Sequence, residues 1–220
     1  MDTRVNLASR AVLFDFDGVL ARTMEDNYRA WFRAFAKVGI HLDETEYYLL
    51  EGLSTRRLAE TILKRNAHEL SRAEEMANLK EAHYLAENHF ALYPGALELA
   101  RQLAKRSLLG LVTGAGSERL SRTAPAELLD CFSALVTGDL IRSPKPAPAP
   151  YLTAAAMLGV PPEDCLVVEN APLGIQAAKA AGMACVAIRS TLSPDHLRQA
   201  DLIVADIPAL AELFQTNISK

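Results

Sequence analysis

The sequence lacks the marks of several protein classes. No stretch approaches the roughly 20 apolar residues of a membrane span, and the net charge of −4 gives no basic surface for nucleic acid or anionic lipid. The segment MDTRVNLASR has no apolar core of a signal peptide. The three cysteines, Cys131, Cys165 and Cys185, are too few and too widely spaced for a disulfide framework or a zinc site. These absences predict buried free thiols in a cytoplasmic protein with neither a nucleic-acid nor a membrane partner.

What the sequence does contain is an alternation of short apolar runs with helix-length segments. The runs do not alternate in polarity, which is typical of strands buried on both faces of a parallel sheet. They are Ala11–Phe16, Leu108–Thr113, Ala134–Thr137, Cys165–Glu169, Ala184–Ile188 and Leu202–Val204. Helical patterns follow, for example at Ala96–Arg106 and Pro172–Ala181, the latter beginning with a proline and followed by Gly182. The pattern predicts an α/β fold with a doubly wound parallel sheet.

The interval from residue 22 to residue 92 interrupts this alternation. It contains no convincing strand and is typical of several amphipathic helices, with an apolar stripe of Tyr28, Trp31, Phe32 and Phe35 that we expect in a core. Tyr93-Pro94-Gly95 then marks a return to the main domain. We predict a helical insert at 22–92 within a core domain formed by residues 1–21 and 93–220.

Two acids follow the first apolar run, which is unusual for a buried strand. Ligands of such sheets bind beyond the carboxyl ends of the strands. Asp15 ends the run, Asp17 follows it, and Gly18 suits a sharp turn there. Taken alone, the pattern fits a turn with solvated acids equally well.

Three other strand ends carry polar groups as well. The second run leads into Thr113-Gly114-Ala115-Gly116-Ser117, whose hydroxyl and amides suit an anion; Arg119 stands where the dinucleotide fingerprint needs a glycine. The third is followed by Lys145, held among prolines in a stiff loop, Pro144–Pro150. The fourth ends in Glu169-Asn170. Each of these three segments also has a simpler structural interpretation. The first is then a turn, the second a solvated lysine, and the third the polar start of a helix.

Taken together, these motifs resemble the haloacid dehalogenase superfamily in its β-phosphoglucomutase-like phosphatase branch. The resemblance rests on VLFDFDGVL, Thr113, SPKPAPAPY and ENAPLGIQAAKAAG, and it covers nearly the whole chain. It implies that the helical insert is the α-helical cap of that family.

The resemblance also implies a catalytic role for each matched residue. Asp15 would attack phosphorus and become an aspartyl-phosphate. Asp17 would protonate the leaving oxygen, for which we expect a raised pKa in the complex, and would later activate water. Thr113 and the amides of Gly114–Gly116 would bind phosphoryl oxygens, and Lys145 would neutralise charge between nucleophile and phosphate.

The implied cofactor is Mg²⁺, a hard ion that prefers oxygen ligands. Asp15, the backbone carbonyl of Asp17 and the Glu169-Asn170 pair would hold it. The family commonly has an aspartate where this chain has Asn170, so either Glu169 contributes more than usual or the ion binds more weakly.

The cap departs from the mutase pattern at two positions. Asn27 replaces a histidine, and Thr55, with Arg56 beside it, replaces an arginine. We therefore favour hydrolysis of a small phosphomonoester, such as a sugar phosphate, over a sugar-phosphate mutase or a non-catalytic phosphate-binding protein. The other polar candidates of the cap, expected mostly at the surface, are His41, Arg57, Lys64, His68, His83 and His89. We also predict that the cap moves as a lid about 21–23 and 92–95.

Overall fold

The computed structural model describes residues 9–216, so most of MDTRVNLASR and the last four residues of the expected core domain lie outside the described part. Six strands form within it: β1 (Ala11–Asp15), β2 (Leu108–Val112), β3 (Ala134–Val136), β4 (Cys165–Glu169), β5 (Ala184–Ile188) and β6 (Leu202–Val204). The last three have the predicted bounds. Each of the first three ends one residue earlier than predicted.

The strands form one parallel sheet in the order β3-β2-β1-β4-β5-β6. β1 is central: Leu13 pairs with Gly110 of β2 on one side and with Val167 of β4 on the other. The ends of β1, β2 and β4 therefore lie side by side, which confirms the doubly wound α/β fold and places their polar residues at one edge.

Ten α-helices accompany the sheet in the described range. They are α1 (Met24–Ala36), α2 (Glu44–Leu49), α3 (Thr55–Arg65), α4 (Ala73–Glu87), α5 (Ala96–Leu103), α6 (Ser117–Thr123), α7 (Ala126–Leu129), α8 (Ala149–Leu158), α9 (Pro172–Ala180) and α10 (Ile207–Thr216). Phe14 packs with the α5 and α10 side chains on one face, and Leu13 with those of α8 and α9 on the other. Both faces are thus covered, which explains the continuous apolar runs.

Helix ends follow local chemistry, with three differences from the prediction, of which the smallest is that α9 ends at Ala180, one residue early. α9 begins at Pro172 and is followed by Gly182 at φ 75°, as expected of a start and stop pair. α5 ends at Leu103, three residues before the predicted end. α8 begins at Ala149, inside the segment expected to be a loop up to Pro150, because proline is tolerated in the first turn of a helix.

Helices α1–α4 lie between β1 and α5 in the chain and form the cap inserted after the first strand. Its two connections run side by side: the Arg22 amide donates to the Ala91 carbonyl at 2.8 Å and the Tyr93 amide to the Leu20 carbonyl at 2.9 Å. The cap has its own core, in which the Trp31 and Phe35 rings stack with centroids 5.3 Å apart. Tyr28 and Phe32 are only half-buried, so the predicted stripe is less buried than expected.

The cysteines are free, and they differ in exposure. Cys165 and Cys185 are buried, whereas Cys131 is half-buried rather than buried as predicted. Burial raises the pKa of Cys165 to about 11, so that thiol stays protonated. Within residues 9–216 no helix combines the length and apolarity that a membrane crossing needs.

Candidate active site

The polar residues expected at the strand ends meet at one buried place. Asp15, Thr113, Lys145, Glu169 and Asn170 are all buried, with exposed fractions of 7% or less. Asp15 and Glu169 are the last residues of β1 and β4, and Thr113 directly follows β2. The loop after β3 brings Lys145 to the same edge.

Lys145 links two of these carboxylates. Its Nζ donates to Oδ1 of Asp15 at 2.6 Å and to Oε1 of Glu169 at 2.7 Å. Burial lowers the pKa of Lys145, but the two carboxylates outweigh burial and raise it above the usual value. Lys145 is therefore a fixed, protonated cation beside Asp15.

Glu169 is fully engaged with the protein. Oε1 also accepts from the Tyr151 hydroxyl at 2.7 Å, and Oε2 accepts from the amides of Asn170 and Ala171 at 2.8 and 3.1 Å. Any side chain at Gly174 would collide with this carboxylate, so the glycine makes room for it. With two hydrogen bonds on each oxygen, Glu169 positions Lys145 and is less well placed to bind metal than the neighbouring Asn170.

Asn170 is the residue of the pair with an unsatisfied group. Its Nδ2 is buried without a hydrogen-bond partner, and it faces Gly18, where a Cβ would collide with it. The two ends of a side-chain amide are interchangeable by rotation, and rotation places an oxygen there. Asn170 thus offers a buried side-chain amide atom, unused in any hydrogen bond, as a metal ligand at the end of β4.

The oxygen ligands around Asp15 suit a hard cation, although the total negative charge of these ligands is low. Among residues 9–216 no three His, Cys, Asp or Glu side chains form a metal-binding group. Burial raises the pKa of Asp15, Glu169 and Asp17 raise it further, and Lys145 opposes them. A cation beside Asp15 would relieve this excess of negative charge. The Asp15 carboxylate, the Asp17 carbonyl and the Asn170 amide oxygen are the hard ligands that Mg²⁺ accepts alongside phosphate and water.

Asp17 points into a separate hydrogen-bond network. Its Oδ1 accepts from Thr23 Oγ1 at 2.6 Å and Asn27 Nδ2 at 3.2 Å; its Oδ2 accepts from Arg119 at 3.1 Å and Thr113 Oγ1 at 3.2 Å. Burial raises the pKa of Asp17, but Arg119 and the hydroxyl of Thr23 outweigh burial, and the pKa is lowered. We expect Asp17 to have a raised pKa in the substrate complex. Without substrate its pKa is not raised, because Arg119 lies beside it.

The loop after β2, which we predict to bind an anion, makes a hydrogen bond of its own. The Ala115 amide donates to Thr113 Oγ1 at 3.0 Å. Gly114 lies against the cap: a Cβ there would be 3.2 Å from the Leu53 carbonyl oxygen. The phosphate-binding role of Thr113, Gly114 and Ala115 stays a prediction.

Four site residues were missed by sequence reasoning: Thr23, Glu51, Lys80 and Arg119. Lys80 had a signal, because it interrupts the buried stripe of α4 between Met76 and Tyr84. Arg119 had a weaker signal, since a cation in the first turn of a helix opposes the helix dipole.

A cavity of about 40 Å³ opens beside Asp15 between cap and core. Besides Asp15 and Asp17, its polar lining includes Asn27, Tyr47, Glu51, Thr55, Lys80 and Arg119. Thr55 and Arg119 also border an outer cleft of about 410 Å³. Of the cap residues that sequence reasoning singled out, Asn27 and Thr55 line the cavity, whereas Arg56 and Arg57 pair with Glu60 at the surface.

Comparison with known proteins gives a consistent picture. A family model described as haloacid dehalogenase-like hydrolase matches residues 9–182. Validoxylamine A 7′-phosphate phosphatase of Streptomyces hygroscopicus subsp. limoneus is 32% identical over 203 residues, which cover 90% of this chain and 94% of that protein. Beta-phosphoglucomutase of Bacillus subtilis (strain 168) is 33% identical over 195 residues, covering 81% and 83%.

One solved structure and one longer relative complete the comparison. A beta-phosphoglucomutase candidate from Bacteroides vulgatus superposes with a TM-score of 0.86 at 30% identity, covering 96% of this chain and 89% of that one. Protein SUPPRESSOR OF QUENCHING 1, chloroplastic, of Arabidopsis thaliana is 31% identical over 198 residues, and the match covers only 19% of its length.

Proposed function

The chain belongs to the haloacid dehalogenase-like hydrolase family and is a phosphoric monoester hydrolase, and we propose that it hydrolyses a small phosphorylated metabolite through a covalent intermediate on Asp15. The single observation that carries this mechanism is the buried Lys145 bridge between Asp15 and Glu169 at the ends of β1 and β4. It holds a carboxylate and a cation at the point where a phosphoryl group would enter.

In the proposed first step, an Asp15 oxygen forms a bond to phosphorus as the bond to the ester oxygen breaks. Lys145 offsets the repulsion between the carboxylate and the phosphate. Asp17 gives a proton to the leaving oxygen and, in the second step, takes a proton from the water that hydrolyses the aspartyl-phosphate. Because Arg119 and Thr23 favour ionised Asp17, substrate must displace these partners or bring a proton with it.

Magnesium is the cofactor we propose. Asp15, the Asp17 carbonyl and Asn170 would hold it, and it would neutralise phosphoryl charge when bound. With Asn170 in place of an acid, these residues supply one carboxylate, so we expect weak binding in the absence of phosphate.

A phosphatase is favoured over a mutase by the cap. Asn27 bonds to Asp17 and Thr55 lines the cavity, at the two positions where the mutase pattern has a histidine and an arginine. The similarity to validoxylamine A 7′-phosphate phosphatase and to beta-phosphoglucomutase supports a small phosphomonoester, such as a sugar phosphate, as substrate class. The two buried free thiols, Cys165 and Cys185, support the expected cytoplasmic location.

The test is phosphate release from 4-nitrophenyl phosphate and from a panel of phosphorylated metabolites, with and without Mg²⁺. We expect metal-dependent release that Asp15→Asn removes. Isomerisation of a hexose phosphate that needs a bisphosphate activator would instead identify a mutase, and binding without either reaction would identify a non-catalytic protein.

A further inference from the structure

Two buried cations face the cavity without belonging to the Lys145 bridge. Lys80 comes from α4 of the cap and is 2% exposed, and Arg119 comes from α6 of the core with a side chain 10% exposed. Both contact the Tyr84 ring: Lys80 Nζ and the Arg119 guanidinium carbon are each 4.9 Å from its centroid. Two buried like charges at one ring are costly unless a group of opposite charge compensates them.

The hydrogen bonds of Lys80 do not account for its burial. An ammonium group has three donors, and within residues 9–216 the structure shows one hydrogen bond of Lys80 Nζ, to Oε1 of Glu81 at 3.1 Å. Glu81 is partly exposed, at 31% of its side chain, and borders the outer cleft. Burial and repulsion from Arg119 lower the pKa of Lys80 to about 8, so at neutral pH it is mostly charged and poorly compensated.

The acids of the cavity do not supply the missing negative charge. Burial, with Asp17 nearby, raises the pKa of Glu51 to about 8, so at neutral pH Glu51 is mostly a neutral acid. Asp17 Oδ2 lies 3.1 Å from Arg119 and is already its ionic partner. Within residues 9–216, Lys80 is therefore left with the partly exposed Glu81 as its ionic partner.

We propose that Lys80 and Arg119 form a subsite for a second anionic group, a carboxylate or a second phosphate, on the part of the substrate that leaves. This inference rests on the proposed phosphatase function and deepens it by naming the substrate class. The group would bond to the free donors of Lys80 and replace Asp17 as a partner of Arg119, and in doing so it would release Asp17 toward the leaving oxygen. Arg119 borders both the inner cavity and the outer cleft, so such a group can be reached from outside.

The test compares three esters of equal chain length that differ only at the far end: 3-hydroxypropyl phosphate, 3-phosphonooxypropanoate and propane-1,3-diol bisphosphate. We expect kcat/KM for at least one anionic ester to exceed that for the neutral one by about tenfold to a hundredfold, the usual effect of a hydrogen bond to a charged group. The carboxylate and bisphosphate arms tell the two anions apart.

Lys80→Met keeps the length and the packing against Tyr84 but removes the charge, and we expect it to reduce the preference to about twofold or less. Lys64→Met, at an exposed position of α3, is the matched control and should retain the preference. Lys80→Arg should retain most of it. If Lys80→Met does not fold, two measurements still test the subsite: the preference of the unaltered protein for anionic esters, and the retention of that preference in Lys80→Arg.

Equal kcat/KM for all three esters in the unaltered protein would overturn the subsite while leaving the phosphatase intact. An equal fall for all three in Lys80→Met would overturn it too, because it would mean that Lys80 only supports the cap. No release of phosphate from any ester or from 4-nitrophenyl phosphate would overturn the proposed function and the subsite together.

Discussion

The cavity has two sides that differ in how their charges are balanced. The strand-end cluster, Asp15, Lys145, Glu169 and Asn170, is built at the edge of the sheet, and its lysine touches two acids at 2.6 and 2.7 Å. The cap-facing cluster, Asn27, Glu51, Lys80 and Arg119, comes from three cap helices or loops and from α6, and its lysine has one partly exposed acid. The difference indicates that the lysine of the first cluster has its ionic partners within the protein, whereas the lysine of the second awaits a ligand. Asp17 joins the two.

The largest effect should come from the strand-end cluster. Asp15→Asn removes the nucleophile, and we expect kcat to fall by about 10⁴-fold or more. Steady-state phosphate release measures it, with Asp195→Asn at an exposed site as the control. Activity within about tenfold of the unaltered protein would contradict covalent catalysis and, with it, the distinction between the two clusters.

Asp17→Asn tests the residue that joins the clusters. We expect kcat to fall by about 10²–10⁴-fold, the usual range for a lost general acid and base. The melting temperature should also fall, because Arg119 loses its ionised partner while remaining buried. Rates and thermal unfolding measured on the same preparation check both effects. A lower melting temperature with kcat unchanged would make Asp17 a structural residue.

Asn170→Asp sharpens the account of the metal. A carboxylate adds charge to the shell of a hard cation, so we expect Mg²⁺ affinity to rise by about tenfold, more than kcat does. Without Mg²⁺ the variant should be less stable than the unaltered protein, since the introduced carboxylate would repel neighbouring acids, and added Mg²⁺ should reverse the order. Calorimetric titration and thermal unfolding measure this, with Asn66→Asp at an exposed position as the control. Superimposable titrations would remove Asn170 from the metal site.

The last prediction concerns the stability contributed by Glu51 in the cap-facing cluster. Its pKa is about 8 in the folded protein against an ordinary value of 4.5, which we take for the unfolded chain. Between these values the folded state holds a proton that the unfolded state releases, so stability falls as pH rises through this window. Glu51→Gln should flatten that fall, and Glu98→Gln, which is exposed, should not. Denaturant unfolding at pH 5 and pH 8.5 measures how the free energy of unfolding changes with pH. The same change for Glu51→Gln and for the unaltered protein would mean that Glu51 is exposed to water.

The two clusters also differ in how far sequence alone could locate them. Asp15, Lys145 and Glu169 each follow a strand directly or by one short loop, and parallel strand ends must meet at one edge. Lys80 and Arg119 are 39 residues apart on separate helices, and no local pattern says that the cap brings them to one ring. Glu169 shows the limit even for strand ends, since its place was predicted but its four hydrogen bonds were not.

Periodicity and strand-end chemistry thus determined the sheet, the helical insert and the acids at its edge, because these depend on residues close together in the chain. Tertiary structure decided the rest. It turned Glu169 toward Lys145 through room left by Gly174, left the Asn170 amide unpaired, and lowered the pKa of Asp17 by packing Arg119 against it. Charge balance depends on which groups meet after long loops have closed, and only the folded chain sets those distances.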